Sequence, residues 1–233
     1  MNLILKEGAI FIADSHYNSK NQEFKRILEK LEKKELDCSQ IFLMGDNFDF
    51  LCYEITYFKE LNKDMIELLN RISNSYEIVY LEGNHDYNLQ KLFPKIKVIK
   101  RENQPFILDF EDKYIALSHG DNFIDWKYEL FCKIIRNSAF LKFMNFIDIN
   151  FFISKKIEKA LENKNICHDL HYFEELVKKR VKNYSEDIIV EGHYHQGKSY
   201  KIGNQDYINI PSLVCQKSYT VFRGGEFENV GLF

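Results

Sequence analysis

Proline is almost missing: three residues in a chain of 233, which also has only one tryptophan. No Pro-rich linker and no low-complexity stretch divides the sequence, so a single domain over 1–233 is expected, with room for one sizeable insertion. Cysteine is sparse and unpatterned. The five cysteines, at 38, 52, 132, 167 and 215, are odd in number and form no C-x-x-C. That reads against a disulfide scaffold or a zinc ribbon, and for thiols in a reducing cytosol. An excess of either charge is also lacking, with 32 Lys and Arg against 35 Asp and Glu. A global attraction to nucleic acid is therefore not expected. No apolar run reaches the ~18 residues of a membrane span. The apolar start is broken at Lys6 and Glu7, too early for a signal peptide. What remains is a globular composition, 45% apolar and 29% charged, with a cytoplasmic location expected.

Short apolar runs at Ala9–Ala13, Ile41–Met44 and Ile78–Leu81 predict buried strands. Between them, Phe24, Ile27, Leu28 and Leu31, and then Phe58, Leu61, Met65, Leu68 and Ile72, recur at helical spacing. This alternation predicts a layered α/β fold. Hairpins are expected at Phe106–Ser118 and Ser199–Ile210, a strand at Ile188–Glu191, and a last strand at Lys217–Arg223. Helical periodicity dominates from Asp125 to about Asn183.

Each apolar run ends in a polar cluster. The clusters are Asp14-Ser15-His16, Gly45-Asp46-Asn47-Phe48-Asp49, Gly83-Asn84-His85-Asp86, His119-Gly120-Asp121 and Gly192-His193-Tyr194-His195. In open α/β sheets, sites form beyond the carboxyl ends of the strands, so these clusters should meet along one edge. Five of the seven histidines lie in them. The donors are carboxylate, imidazole and amide, a set suited to Mn²⁺, Fe²⁺ or Zn²⁺. A carboxylate has two oxygens and can bridge a pair of such cations.

The ordered motifs D-x-H, G-D-x-x-D, G-N-H-D, H-G-D and G-H-x-H resemble those of the calcineurin-like metallophosphoesterase superfamily. The resemblance implies a two-sheet β-sandwich flanked by helices, an α/β (α+β) fold, with two divalent metal ions at the strand ends. Asp14, His16, Asp46 and His195 would hold one ion. Asp46, Asn84, His119 and His193 would hold the other, with Asp46 as the bridge. His85 would be catalytic, donating a proton to the leaving oxygen, and Asp49 would orient it. A water activated between two cations would attack phosphorus without a covalent intermediate.

From His119 to His193 the spacing doubles, which marks residues 125–183 as a helical cap or lid. Between Phe140 and Ile153 apolar residues cover most of the circumference of a continuous helix. This reads either as a buried packing surface or as an acyl groove with a peripheral membrane contact, and Phe143 and Ile147 are chosen to test the groove. Lys178-Lys179-Arg180-x-Lys182 reads as a solvated face, or as a basic run meeting anionic headgroups or a diphosphate. H-G-D followed by Asp125-x-x-Tyr128 and a helical cap resembles the UDP-2,3-diacylglucosamine pyrophosphohydrolase branch, which acts in lipid A synthesis. In that branch Asp125 and Lys164 would touch substrate, a nucleotide-linked lipid. The best-known members of that branch carry Arg where this chain has His85. A cytosolic phosphodiesterase or phosphatase acting on nucleotides or small phosphodiesters is therefore the alternative. An interaction scaffold with this fold is a third reading, opposed by the complete ligand set.

Overall fold

Alternation along the strands decides the layers of the computed structural model, which describes residues 2–232. In Ile10–Ile12, Gln40–Leu43 and Glu77–Leu81, odd and even positions point to opposite faces. Ile10, Ile12, Ile41, Leu43, Ile78 and Tyr80 face outward and are covered by the helices Glu23–Glu32 and Lys63–Ile72. Phe11, Phe42 and Val79 face inward and pack against Leu108, Ile115, Leu117 and Val190 of a second sheet. The result is the expected two-sheet sandwich flanked by helices.

The first sheet runs in the order Glu226–Gly231, Ser218–Arg223, Ile10–Ile12, Gln40–Leu43, Glu77–Leu81, Lys97–Ile99, and its last four strands are parallel. The second runs Leu3–Ile4, Phe106–Phe110, Lys113–Ser118, Ile188–Glu191, Gln205–Asn209, Ser199–Ile202. Parallel pairing puts the carboxyl ends of the ligand-bearing strands side by side. Glu226–Gly231 extends the chain one strand beyond the last predicted. It lies at the sheet edge and is largely exposed, which removes the apolar run that would announce it.

The Phe-rich stretch is not one helix. Ser138–Ile147 stops, the chain turns at Asn150 and Phe151 with φ of 53° and 59°, and Phe152–Glu162 begins anew. Asp148 secures the new start by accepting from the Ile153 and Ser154 amides at 2.7 and 3.2 Å. The break divides the apolar residues between two faces. Leu141 and Met144 pack against Ile55, Phe58 and Tyr87, while Phe143 and Phe146 are exposed. With Trp126–Ile135, these helices stand over the strand ends.

The helix Phe173–Arg180 packs differently, with Phe173 and Val177 on Ala116, Ile189 and Tyr207 of the second sheet. It corrects the reading of the basic run. Arg180 is buried and paired with Glu191 at 2.6 Å, and Glu191 also accepts from Tyr184 and Tyr207. Burial raises the Glu191 carboxyl, but the Arg180 guanidinium outweighs it and keeps the group ionised. Only Lys178, Lys179 and Lys182 remain on the solvated face.

The cysteine reading is corrected as well. Cys167 and Cys215, 48 residues apart, form a disulfide, while Cys38, Cys52 and Cys132 are free thiols. Sequence spacing carried no sign of the pairing, because the fold alone brings these residues together. Among the described residues, no helix is long and apolar enough to cross a membrane.

Candidate metal centre

Five of the seven expected ligands sit on backbone that side chains rarely adopt. Asp14, His16, Asp46, His193 and His195 have φ between 41° and 64°. Non-glycine residues held there cost of order 1–3 kcal/mol each, and such strain gathers at functional sites. These left-handed residues lie just past the ends of the strands Ile10–Ile12, Gln40–Leu43 and Ile188–Glu191, whereas none follows Glu77–Leu81 before Tyr87. Hydrogen bonds between the loops hold them in place. Asp14 and His16 amides donate to Gly45 and Asp46 carbonyls. The His193 amide donates to Asp14 Oδ2 at 2.8 Å, and the His85 amide to Asp46 Oδ1 at 2.8 Å.

Two groups of donors result: Asp14, His16 and His195, and Asp46, His119 and His193. Within each, one donor atom per residue lies within 4.8 Å of the others. Asn84 joins the second group, its Oδ1 3.2 Å from His119 Nε2. His195 Nε2 lies 3.4 Å from Asp14 Oδ1, and His119 Nε2 lies 3.5 Å from Asp46 Oδ2. Asp14 Oδ1 is buried and accepts no hydrogen bond. A carboxylate oxygen in that position is costly unless something positive meets it. Seven N and O donors with an orphaned anionic oxygen fit divalent cations.

The electrostatics agree. Burial raises the Asp14 and Asp46 carboxyls, but neighbouring imidazoles outweigh it, and both are held below the usual carboxylate range. Burial lowers His119, yet Asp46 outweighs that and lifts it to about 10. His193 is pushed down to about 4 by burial and by His119. Asp46 thus favours a proton on His119 and Asp14 one on His195, while His16 and His193 are shifted the other way by burial.

The outer nitrogens of the ligand rings are held as well. His119 Nδ1 meets the Met44 carbonyl at 2.9 Å, and His195 Nδ1 meets the Ile166 carbonyl at 3.0 Å. Such partners fix the tautomer and orientation of metal-binding imidazoles. Asp49 behaves in a way the sequence did not indicate. It holds His85 through its main-chain carbonyl, 2.6 Å from Nδ1, while its carboxylate faces His16 Nδ1 at 3.4 Å. Asp86, the last residue of G-N-H-D, is a further part of the site that its sequence pattern does not announce. It is fully buried and accepts from the Asp46, Asn47 and Gly83 amides and from the Tyr80 hydroxyl. Asp86 thus ties two ligand loops together. Asn209 likewise braces the G-H-x-H loop, donating to the Glu191 and Gly192 carbonyls.

Glycine is required where the loops cross. A Cβ on Gly83 would lie 2.2 Å from Asp46 Oδ1 and 2.5 Å from the Asp46 amide nitrogen. Gly83→Ala should therefore cost ~1–3 kcal/mol of stability, as overpacking does, and should weaken Mn²⁺ binding in the protein that still folds. Chemical denaturation and Mn²⁺ titration of one sample check both. Unchanged cation affinity would contradict this view of the loop crossing.

Two cavities meet at the centre. One, of 250 Å³, is lined by His16, Asp46, His85, His193 and His195, and by Lys164, Asn165, Ile166 and His168 of the segment after the cap. The other, of 430 Å³ and mainly apolar, lies under the cap and is lined by Phe58, Tyr87, Leu141, Met144 and Ile157. Asn84, His85 and Lys164 line both. Asp125 lines neither. Its carboxylate caps the helix Trp126–Ile135, accepting from the Lys127 and Tyr128 amides at 2.8 and 2.9 Å.

The chain is similar to known proteins in sequence and in fold. It is 23% identical over 213 residues to a UDP-2,3-diacylglucosamine hydrolase of Wigglesworthia glossinidia brevipalpis, covering 86% of this chain and 84% of that one. It is 23% identical over 158 residues to a UDP-2,3-diacylglucosamine hydrolase of Shewanella sp. (strain ANA-3), covering 66% and 63%. An archaeal phosphodiesterase shares the fold with a TM-score of 0.50 and 11% identity, over 96% of this chain and 99% of that one. A family model described as calcineurin-like phosphoesterase matches residues 9–197, a span that holds all seven candidate donors. The chain belongs to this family and is a metal-dependent phosphoesterase.

Proposed function

We propose that the protein cleaves the diphosphate of a nucleotide-linked diacyl sugar, as a UDP-2,3-diacylglucosamine diphosphatase of lipid A synthesis does. The observation that carries this reading is the apolar 430 Å³ cavity, which shares Asn84, His85 and Lys164 with the ligand-lined cavity. A diphosphate at the donors and acyl chains under the cap would use both at once. Asp14, His16, Asp46 and His195 hold one divalent cation; Asp46, Asn84, His119 and His193 hold the other. Mn²⁺ is the first choice, with Fe²⁺ or Zn²⁺ as alternatives. When bound, the cations supply a nucleophilic water near neutral pH and offset charge on the phosphoryl oxygens.

The chain's own residues do the rest. The Asp49 carbonyl can only accept, so His85 Nδ1 carries the proton of that bond, and the ring gives a proton from Nε2 to the leaving oxygen when both nitrogens are protonated. Lys164 lies where a diphosphate would pass from one cavity to the other. Asp125, as the cap of the first cap helix, fixes that helix and would touch substrate only with its second oxygen. Residues 125–183 serve as the lid of a single domain, its covering part being the helices up to Glu162.

The outer face of the cap fits a membrane surface. Trp126, Phe146 and Ile149 are 71%, 83% and 74% exposed. Residues 125–164 carry eight Lys and Arg against five Asp and Glu, in a chain of net charge −3. Apolar side chains among basic ones suit an anionic leaflet, where a lipid substrate resides. A cytoplasmic enzyme peripheral on the inner membrane follows. A small phosphodiester is the second reading, favoured by His85 at a position where the best-known members of the diacylglucosamine branch carry Arg.

Phe143 and Ile147 do not line the cavity, whereas Met144 on the same helix does. Met144→Asp should raise KM for the diacyl substrate in detergent at least ~10-fold, since each buried methylene contributes ~0.8 kcal/mol. Turnover of a small aryl phosphodiester should hold. Phe146→Asp should leave both detergent assays unchanged and reduce co-sedimentation with anionic vesicles. If Met144→Asp lowers both activities together with the melting temperature, the cavity is only a core and the small-substrate reading prevails.

A further inference from the structure

We propose that Cys167 and Cys215 are positioning residues for the ligand His195, so that the thiol state of this pair sets cation affinity at the Asp14, His16 and His195 group. The inference rests on the metal-centre reading above and is independent of which phosphoester is cleaved.

The ligand rings differ in what supports them. His119 leans on the Met44 carbonyl, beside a central strand of the core. His195 leans on the Ile166 carbonyl, and Ile166 belongs to a mostly exposed segment, 163–172, with no helix or strand. Residues of this segment also line the ligand cavity.

Few bonds hold the segment in place. Gln196 donates to the His168 carbonyl at 2.8 Å and accepts from the Leu170 amide at 3.0 Å. The covalent tie is the Cys167–Cys215 disulfide, one residue from Ile166. Cys215 lies on the short helix Leu213–Gln216, which is fastened to the metal loops at both ends. Ser212 Oγ donates to the Asp14 carbonyl, and Gln216 Nε2 donates to the His195 carbonyl. Cys215 Sγ is 3.5 Å from His195 Nδ1. The bond therefore closes a ring that runs from the exposed segment, through the helix, to the ligand itself. Both cysteines line an open cavity of 380 Å³ at the surface, so a small reductant has access.

Reduction breaks one S–S bond. With a water-soluble phosphine, phosphorus attacks one sulfur and the other leaves as thiolate. Water then delivers oxygen to phosphorus, and two protein thiols and one phosphine oxide result. With the tie cut, the segment keeps the Gln196 bonds, the exposed Lys198–Asp169 pair and the packing of Leu170, all near its far end, and the Ile166 carbonyl is held less firmly against the His195 ring. Loss of such a partner lowers metal affinity by ~10–100-fold.

The test is titration of the full-length protein with Mn²⁺, following free Mn²⁺ by electron paramagnetic resonance, before and after phosphine treatment. Titratable thiols should rise from the three free cysteines to all five. One Mn²⁺ site should weaken ~10–100-fold on reduction while the other holds. Cys167→Ser/Cys215→Ser should begin with the weakened site and ignore the phosphine. A bridge with only a structural role would lower the melting temperature and leave the two affinities in their original ratio. Identical titrations in both thiol states, with reduction verified by the thiol count, would overturn the proposal even if the double variant fails to fold. His195→Ala separates the two levels of inference. It should lose the tighter binding of one ion and with it the response to phosphine. If it leaves both affinities intact, the ligand assignment is at fault.

Discussion

Asp46→Ala should release at least one of the two cations and nearly all activity. Asp46 is buried and both of its oxygens are engaged, Oδ1 by the His85 amide and Oδ2 facing His119. Its removal takes a charge from each proposed cation, leaves the His85 amide unpaired, and frees His119 from the anion that lifts its pKa to about 10. A divalent cation supplies several kcal/mol of transition-state stabilisation, so the rate should fall ~10³-fold or more. Elemental analysis of the purified variant measures the first effect, and turnover of an aryl phosphodiester the second. Two tightly held metals in Asp46→Ala would remove Asp46 from the bridge. His16→Ala and His195→Ala should each deplete chiefly one ion, because they fall in the same donor group.

His85→Ala should keep both cations and lose ~10²–10⁴-fold in kcat, the usual weight of general acid catalysis. His85 stands outside both three-residue donor groups, although its ring is 4.8 Å from that of His16. The deficit should shrink for a nitrophenol ester, whose leaving oxygen needs no proton. An equal deficit on good and poor leaving groups would exclude proton donation. The structure adds a corollary at Asp49. Because the main-chain carbonyl holds His85, Asp49→Asn should retain most of the His85 contribution. It should instead disturb His16, which the carboxylate faces, and so show itself in metal content.

Much of the site could be read along the chain. Asp14, His16, Asp46, Asn84, His119, His193 and His195 follow strands whose apolar runs stand out, and parallel pairing forces the ends of such strands together. The roles of Asp86 and Asn209 could not be read in this way. Their work is to hold loops from distant parts of the chain, and a polar residue after a strand looks the same whether it caps a turn or joins two loops. The cap shows a related limit. Phe140–Ile153 has apolar residues on all sides of one continuous helix, yet the chain breaks it at Asn150 and Phe151. Each half then has its own inner and outer face. The inner set lines the cavity, and Phe143 and Phe146 are left outside.

By itself the sequence determined the layered α/β alternation, the helices that cover the strands, and the set of side chains at the strand ends. All of these follow from local periodicity and from residue type. Only the tertiary structure decided which donors share a group and which backbone positions are strained. It also turned the Asp49 carboxylate toward His16 and brought Cys167 to Cys215. These are distances between residues tens of positions apart. They are set by how strands and loops pack, and no window of sequence contains them.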